Sequence, residues 1–307
     1  MIVANNAFIG NVLVEPFQFA FLRHALVVCT VAGALCGLLG VFVTLRGMSY
    51  IGHGLSHAIF GGAAVCAAVG INFFVGAGIW GLASGLAVSR VTRRRVIGGD
   101  AAIGVITTAS FAFGIALLGL YSRVKRSIEA TVFGSVLGVS TGDMLVIMAV
   151  AALTATVVIM FYRPLLFTTF DPEVADVSGV STARIDALLM LLLSFSILAS
   201  MKVLGVTLIA AALVIPPVVA RMLTHSFKRM LVLSSAIGAS AGFIGMYLSY
   251  HLDVSSGATI VLVNFVAFAV VYAFTGASGH RRLAGMPDHD HGEPTRDARV
   301  SSFGGAR

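Results

Sequence analysis

A chain of 307 residues that is 58% hydrophobic and only 11% charged, with a mean hydropathy of +0.99, falls outside the composition of soluble globular domains and reads as a polytopic membrane protein. Its net charge of +7 is read as membrane topology, with no nucleic-acid partner expected. Cys29, Cys36 and Cys66 all lie in apolar segments, which excludes a disulfide framework; Cys29 and Cys36 would stand about 10 Å apart along one helix, too far to bridge.

Apolar segments near the length of about 20 residues that crosses a bilayer follow one another between polar breaks. They run over 19–45, 48–69, 73–91, 101–121, 144–162, 185–200, 203–223, 230–250 and 258–274. The expected fold is all-α, a bundle of about eight to nine transmembrane helices, with an N-terminal segment 1–18, a membrane domain 19–275 and a disordered polar tail 276–307. Asn5, Asn6, Asn11 and Glu15 precede the first span and no basic region opens the chain, so that span, with no cleaved signal peptide, is expected to do the targeting. With the Arg90 to Arg95 loop placed in the cytoplasm, fifteen of the 20 Lys and Arg residues fall inside. That bias predicts a cytoplasmic C-terminus and an external N-terminus, against which only the Arg123 to Arg126 cluster argues. A segment that dips back after Tyr121 would remove the conflict.

The second segment carries Met48-Ser-Tyr-Ile-Gly-His53-Gly-Leu-Ser-His57-Ala. Positions i and i+4 share a helix face, so both imidazoles point one way and can hold one ion or line one path. An ionisable group at membrane depth is a functional candidate by default, and neutral imidazole is a ligand for zinc and related metals. The opposing reading is a polar pair satisfied by neighbouring helices. His24 and His251, near the ends of their spans, read as interfacial or packing residues. Lys202 and Asn264 read as a snorkelling cation and a residue joining helices.

Between the fifth and sixth spans lies Phe170-Asp-Pro-Glu-Val-Ala-Asp-Val-Ser-Gly179. Asp171 suits an N-cap, Pro172 the first helical turn and Gly179 a C-terminal stop. A short helix bearing Asp171, Glu173 and Asp176 is therefore predicted in a cytoplasmic loop, either as a plain connection or as a docking element for a soluble partner. Pro216-Pro217, inside 209–219, is expected to break the local helical hydrogen bonding, a break that in membranes faces a cavity or a protein interface. Gly238-Ala-Ser-Ala-Gly242 matches G-x-S-x-G, but it lacks the strand-turn-helix setting of a nucleophile elbow and reads as a small-residue helix seam. In the tail, His289 and His291, with Asp288, Glu293 and His280 nearby, read as a solvated segment or a weak cytoplasmic metal site.

These stretches together carry a family resemblance over about 19–274. Arg46-Gly-Met-Ser-Tyr-Ile-Gly-His53-Gly-Leu-Ser-His57, Asp100-Ala-Ala-Ile-Gly104, Phe133-Gly-Ser-Val-Leu-Gly138, Phe170-Asp-Pro-Glu-Val-Ala and Val203-Leu-Gly-Val-Thr-Leu with Leu213-Val-Ile-Pro-Pro217 resemble, in order, the permease subunits of ATP-binding-cassette importers for zinc, manganese and iron, which are related in architecture to the vitamin B12 permeases. The resemblance implies a transport subunit and not an enzyme. It further implies a homodimeric path, a cytoplasmic ATPase dimer docking on the helix of Asp171, Pro172, Glu173, Asp176 and Gly179, and an external metal-binding protein, in a bacterial plasma membrane. It makes His53 and His57 the metal residues. The family usually carries Asp at the position of His53, and the exchange of a carboxylate for an imidazole tips the expected cargo towards Zn2+, with Mn2+ and Fe2+ as alternatives. No cofactor bound by this chain is expected, and no G-x-x-x-x-G-K-[ST] occurs, so ATP would be hydrolysed elsewhere. A proton-coupled secondary carrier is the alternative, although no inverted repeat is legible. An intramembrane metalloprotease is disfavoured because Gly54, and not Glu, follows His53.

Overall fold

Long apolar runs without interior proline must satisfy their backbone polar groups internally when water is excluded, and the helix is the local way to do so. The computed structural model describes residues 15–69, 73–92, 99–121 and 139–283. Among these residues a 3-10 turn at Glu15–Gln18 precedes α1 (Ala20–Leu45), α2 (Ile51–Val69), α3 (Phe73–Thr92), α4 (Gly99–Tyr121) and α5 (Thr141–Met160). Then come the short α6 (Tyr162–Phe170) and α7 (Pro172–Val177), followed by α8 (Thr182–Leu204), α9 (Ile209–Leu223), α10 (Phe227–Leu252) and α11 (Ser256–Leu283). The chain divides into two units, Met1–Tyr272 and Ala273–Arg307; of the second, the structure describes the end of α11, so that residues 276–283 are helical where a polar tail is expected. Arg93 to Arg95, the Arg123 to Arg126 cluster, the Phe133 to Gly138 motif, His289 and His291 lie outside the described residues.

The first unit is organised on α1, most of whose residues are buried and which packs against α10, α9, α5 and α8. The α1–α10 seam runs through small residues. Gly33 faces the Gly238 backbone and Gly242 the Cys29 backbone, and each approach leaves no room for a side chain. Ser234 donates to the Gly37 carbonyl at 2.6 Å across the same seam. The G-x-S-x-G sequence is thus a packing surface, as membrane helices without a hydrophobic drive between them require. Cys29, Cys36 and Cys66 are free thiols. A second group forms where α2 packs on α3 and α4, with Gly61 and Gly114 meeting backbone to backbone.

Among the described residues six helices are long and apolar enough to cross a membrane: α1, α5, α8, α10 and most of α4 and α11. Exposed apolar side chains such as Leu145, Ile159, Val232, Leu262 and Phe265 line the outer faces of α5, α10 and α11, where a hydrocarbon solvent covers them. One expectation is corrected. No single span covers 203–223: α8 continues to Leu204, Gly205 stops it at φ 79°, ψ 157°, and α9 begins only at Ile209. That backbone region is open to glycine alone. Pro216 and Pro217 lie inside α9 and are buried, so the expected break in hydrogen bonding faces protein. Proline frees carbonyls one turn earlier, and the freed Leu213 carbonyl lies against Gly40 of α1, where the missing side chain makes space.

Candidate metal centre

His53 and His57 are the polar face of an apolar helix. Their ring centroids stand 4.4 Å apart with the planes steeply inclined, as one helical turn requires. Tyr50 packs on His53 at 5.3 Å and Phe111 of α4 meets His57 edge-on at 5.0 Å. Both rings are half-buried. Nδ1 of His57 is buried and has no hydrogen-bond partner, a costly state for a nitrogen away from water unless a ligand claims it. The structure therefore brings the expected pair together and leaves donor capacity free. Among the described residues no three His, Cys, Asp or Glu side chains converge as a complete metal cage. One chain offers a partial site.

Neighbouring elements hold the pair in place. Ser56, between the histidines, donates at 2.8 Å to the Val206 carbonyl in the link between α8 and α9. Gly52 and Gly54 let Leu213 of α9 and Thr107 of α4 approach α2 closely. On the other side of the bundle Asn264 donates to the Ile260 carbonyl of its own helix at 3.1 Å, and so does not join helices by that bond. Lys202, expected to snorkel, pairs instead with Asp143 of α5 at 2.5 Å.

The short helix predicted at 171–179 is α7. Asp171 accepts from the Val174 N–H at 3.0 Å, and Pro172 occupies the first turn. Gly179 adopts φ 81°. Its N–H bonds to the Asp176 carbonyl and the Val180 N–H to the Ala175 carbonyl, at 3.1 and 3.0 Å, the paired bonds of a Schellman stop. Asp176 turns back to accept from both the N–H and the hydroxyl of Thr182, at 3.3 and 2.8 Å. Ala175 is buried, while Val174 and Val177 are exposed. The helix is thus fixed at both ends and bare on one apolar face.

Sequence reasoning missed a third assembly. Arg46 pairs with Asp186 at 2.6 Å and donates to Thr168 at 2.9 Å and Thr169 at 3.2 Å. Arg46 stands at the end of the first apolar segment and Asp186 near the start of the sixth, and their separation along the chain hid the pairing.

The model of a family described as the ABC 3 transport family matches residues 18–275. The manganese transport system membrane protein MntC of Halalkalibacterium halodurans is 37% identical over 265 residues, 86% of this chain and 91% of that protein. A Haemophilus influenzae protein named a probable iron transport system membrane protein is 32% identical over 265 residues, 86% of this chain and 97% of its own. Among solved structures, PsaBC from Streptococcus pneumoniae in complex with Fab matches with a TM-score of 0.79 and 32% identity, covering 90% of this chain and 99% of the matched one.

Proposed function

From the premise that this chain belongs to the ABC 3 transport family, we propose that it is the membrane subunit of an ATP-driven importer of divalent first-row metal ions in a bacterial plasma membrane. His53 and His57 form the station where the ion pauses. The observation that carries the station is the paired rings with a buried, unclaimed Nδ1 on His57. Two imidazoles from each of two copies give four donors around a twofold axis, and a site loosened between conformations lets the ion leave. The separate ATPase subunits dock on the bare face of α7, an external metal-binding protein delivers the ion, and the C-terminus lies in the cytoplasm.

Manganese stands first as cargo, followed by iron, because those metals appear in the relatives' names. This reverses the order suggested by the donor atoms. Zinc is kept as a second reading on one observation: both candidate ligands are borderline nitrogens, which favour later metals over manganese. The test is uptake of Mn2+, Fe2+ and Zn2+ into vesicles holding this chain with its ATPase, for wild type and for His53→Ala with His57→Ala. Uptake by the wild type alone supports the station; equal uptake by both overturns it. Transport that persists without ATPase subunits points to the proton-coupled alternative.

A further inference from the structure

We infer that Arg46 is a positioning residue for transport, a latch that carries displacement of α7 to the histidine helix; this rests on the transporter reading above. Arg46 caps α1, its own N–H bonding the Phe42 carbonyl at 3.1 Å, so the guanidinium is rooted in the most buried helix of the bundle. From there it grips two helices at once. Thr168 and Thr169 belong to α6 and Asp186 to α8. The threonine hydroxyls donate to the Pro164 and Leu165 carbonyls, which turns their lone pairs towards Arg46 and leaves the cluster satisfied. The ion pair is largely shielded, with side-chain exposures of 10% for Arg46 and 23% for Asp186.

The two gripped helices are those that hold α7. α6 leads into it through Asp171 alone, and Asp176 ties its far end to Thr182, one turn before Asp186 on the same helix. A push on α7 therefore moves both partners of Arg46. On its other side Arg46 is separated from α2 only by the link 47–50, which is itself bonded: the Met48 N–H meets the Val43 carbonyl at 3.0 Å and the Ile51 N–H the Met48 carbonyl at 2.9 Å. His53 lies in the first turn of that helix. Beside the latch is a cavity of about 360 Å³, lined by Arg46, Thr168, Asp176, Thr182 and Asp186 with Ser89 of α3. Close-packed interiors resist shifts, whereas this space lets the cluster exchange partners without a clash.

The test uses the complete transporter with its ATPase in vesicles and Mn2+ as the probe. Arg46→Lys keeps the charge but loses the planar fork that reaches α6 and α8 together; Asp186→Asn keeps the shape. Each is expected to lower Mn2+ moved per ATP hydrolysed about tenfold while leaving ATP hydrolysis and Mn2+ affinity without nucleotide near wild type. The double variant is expected to be no worse than either single one, as coupled residues behave. An unchanged ratio, or losses that multiply in the double variant, overturns the latch. If Arg46→Lys fails to assemble, Thr168→Val with Thr169→Val removes only the α6 grips; a lowered ratio there supports the latch and a wild-type ratio overturns it. A wild type that hydrolyses ATP yet moves no Mn2+, Fe2+ or Zn2+ removes the transport reading itself, and the latch with it.

Discussion

Arg46 and His57 sit in one continuous stretch, and the fold treats their polar atoms in opposite ways. The guanidinium finds a carboxylate and two hydroxyls, whereas Nδ1 of His57 finds no hydrogen-bond partner. Removing water makes a satisfied polar cluster rigid and an unsatisfied group expensive. The first arrangement holds a position; the second persists where another state or a passing ligand supplies the missing bond. A polar group that the architecture satisfies is thereby told apart from one that it leaves open.

The sharpest way to break this contrast is at the histidines. His53→Ala with His57→Ala is expected to lower metal affinity about 100-fold or more, given that supporting residues alone change it 10–100-fold. Isothermal titration with Mn2+ and Zn2+ measures it, and unaltered affinity would falsify the station. The close seam is expected to respond in stability: Gly238→Leu drives a side chain into the Gly33 backbone and should cost about 3 kcal/mol, read as a lower thermal midpoint in detergent. Gly205→Ala places a Cβ at φ 79° and should cost about 2 kcal/mol, with hydrogen exchange rising in the link 205–208. His57→Leu should do the reverse, gaining about 1 kcal/mol by removing an orphaned nitrogen while uptake is lost; a fall in stability would show that the ring is structural. Asp171→Ala is expected to be the mildest, about 1 kcal/mol from the lost cap, with faster exchange at the Val174 N–H that Asp171→Asn restores.

The readable parts of this molecule were those governed by local chemistry. Asp171, Pro172 and Gly179 marked α7 because caps and stops act within a few residues. The small residues of 238–242 marked the seam with α1 because only such residues let two backbones meet. The i, i+4 spacing placed both imidazoles on one face. What escaped was decided between helices. The run from Val203 to Leu208 carries no charge and, but for Thr207, no polar side chain, so hydropathy cannot see that Gly205 ends one helix there. Pro216 and Pro217 announced freed carbonyls, but the sequence does not reveal that Gly40 waits opposite the one at Leu213. The partners of Arg46 and Lys202 lie on distant segments, and no local pattern announces a pairing across the bundle.

The stop at Gly205 also bears on hydration. α9, from Ile209 to Leu223, covers about 22 Å at 1.5 Å per residue, against a hydrocarbon core of about 30 Å. Over the remaining depth the chain presents irregular backbone, with the Val206 carbonyl already bound to Ser56 beside the histidines. Irregular backbone survives at such depth only where protein or a wet cavity covers it. α9 alone is therefore too short to shield its stretch of chain from the hydrocarbon, and the link 205–208 depends on the cover that α2 supplies through Ser56.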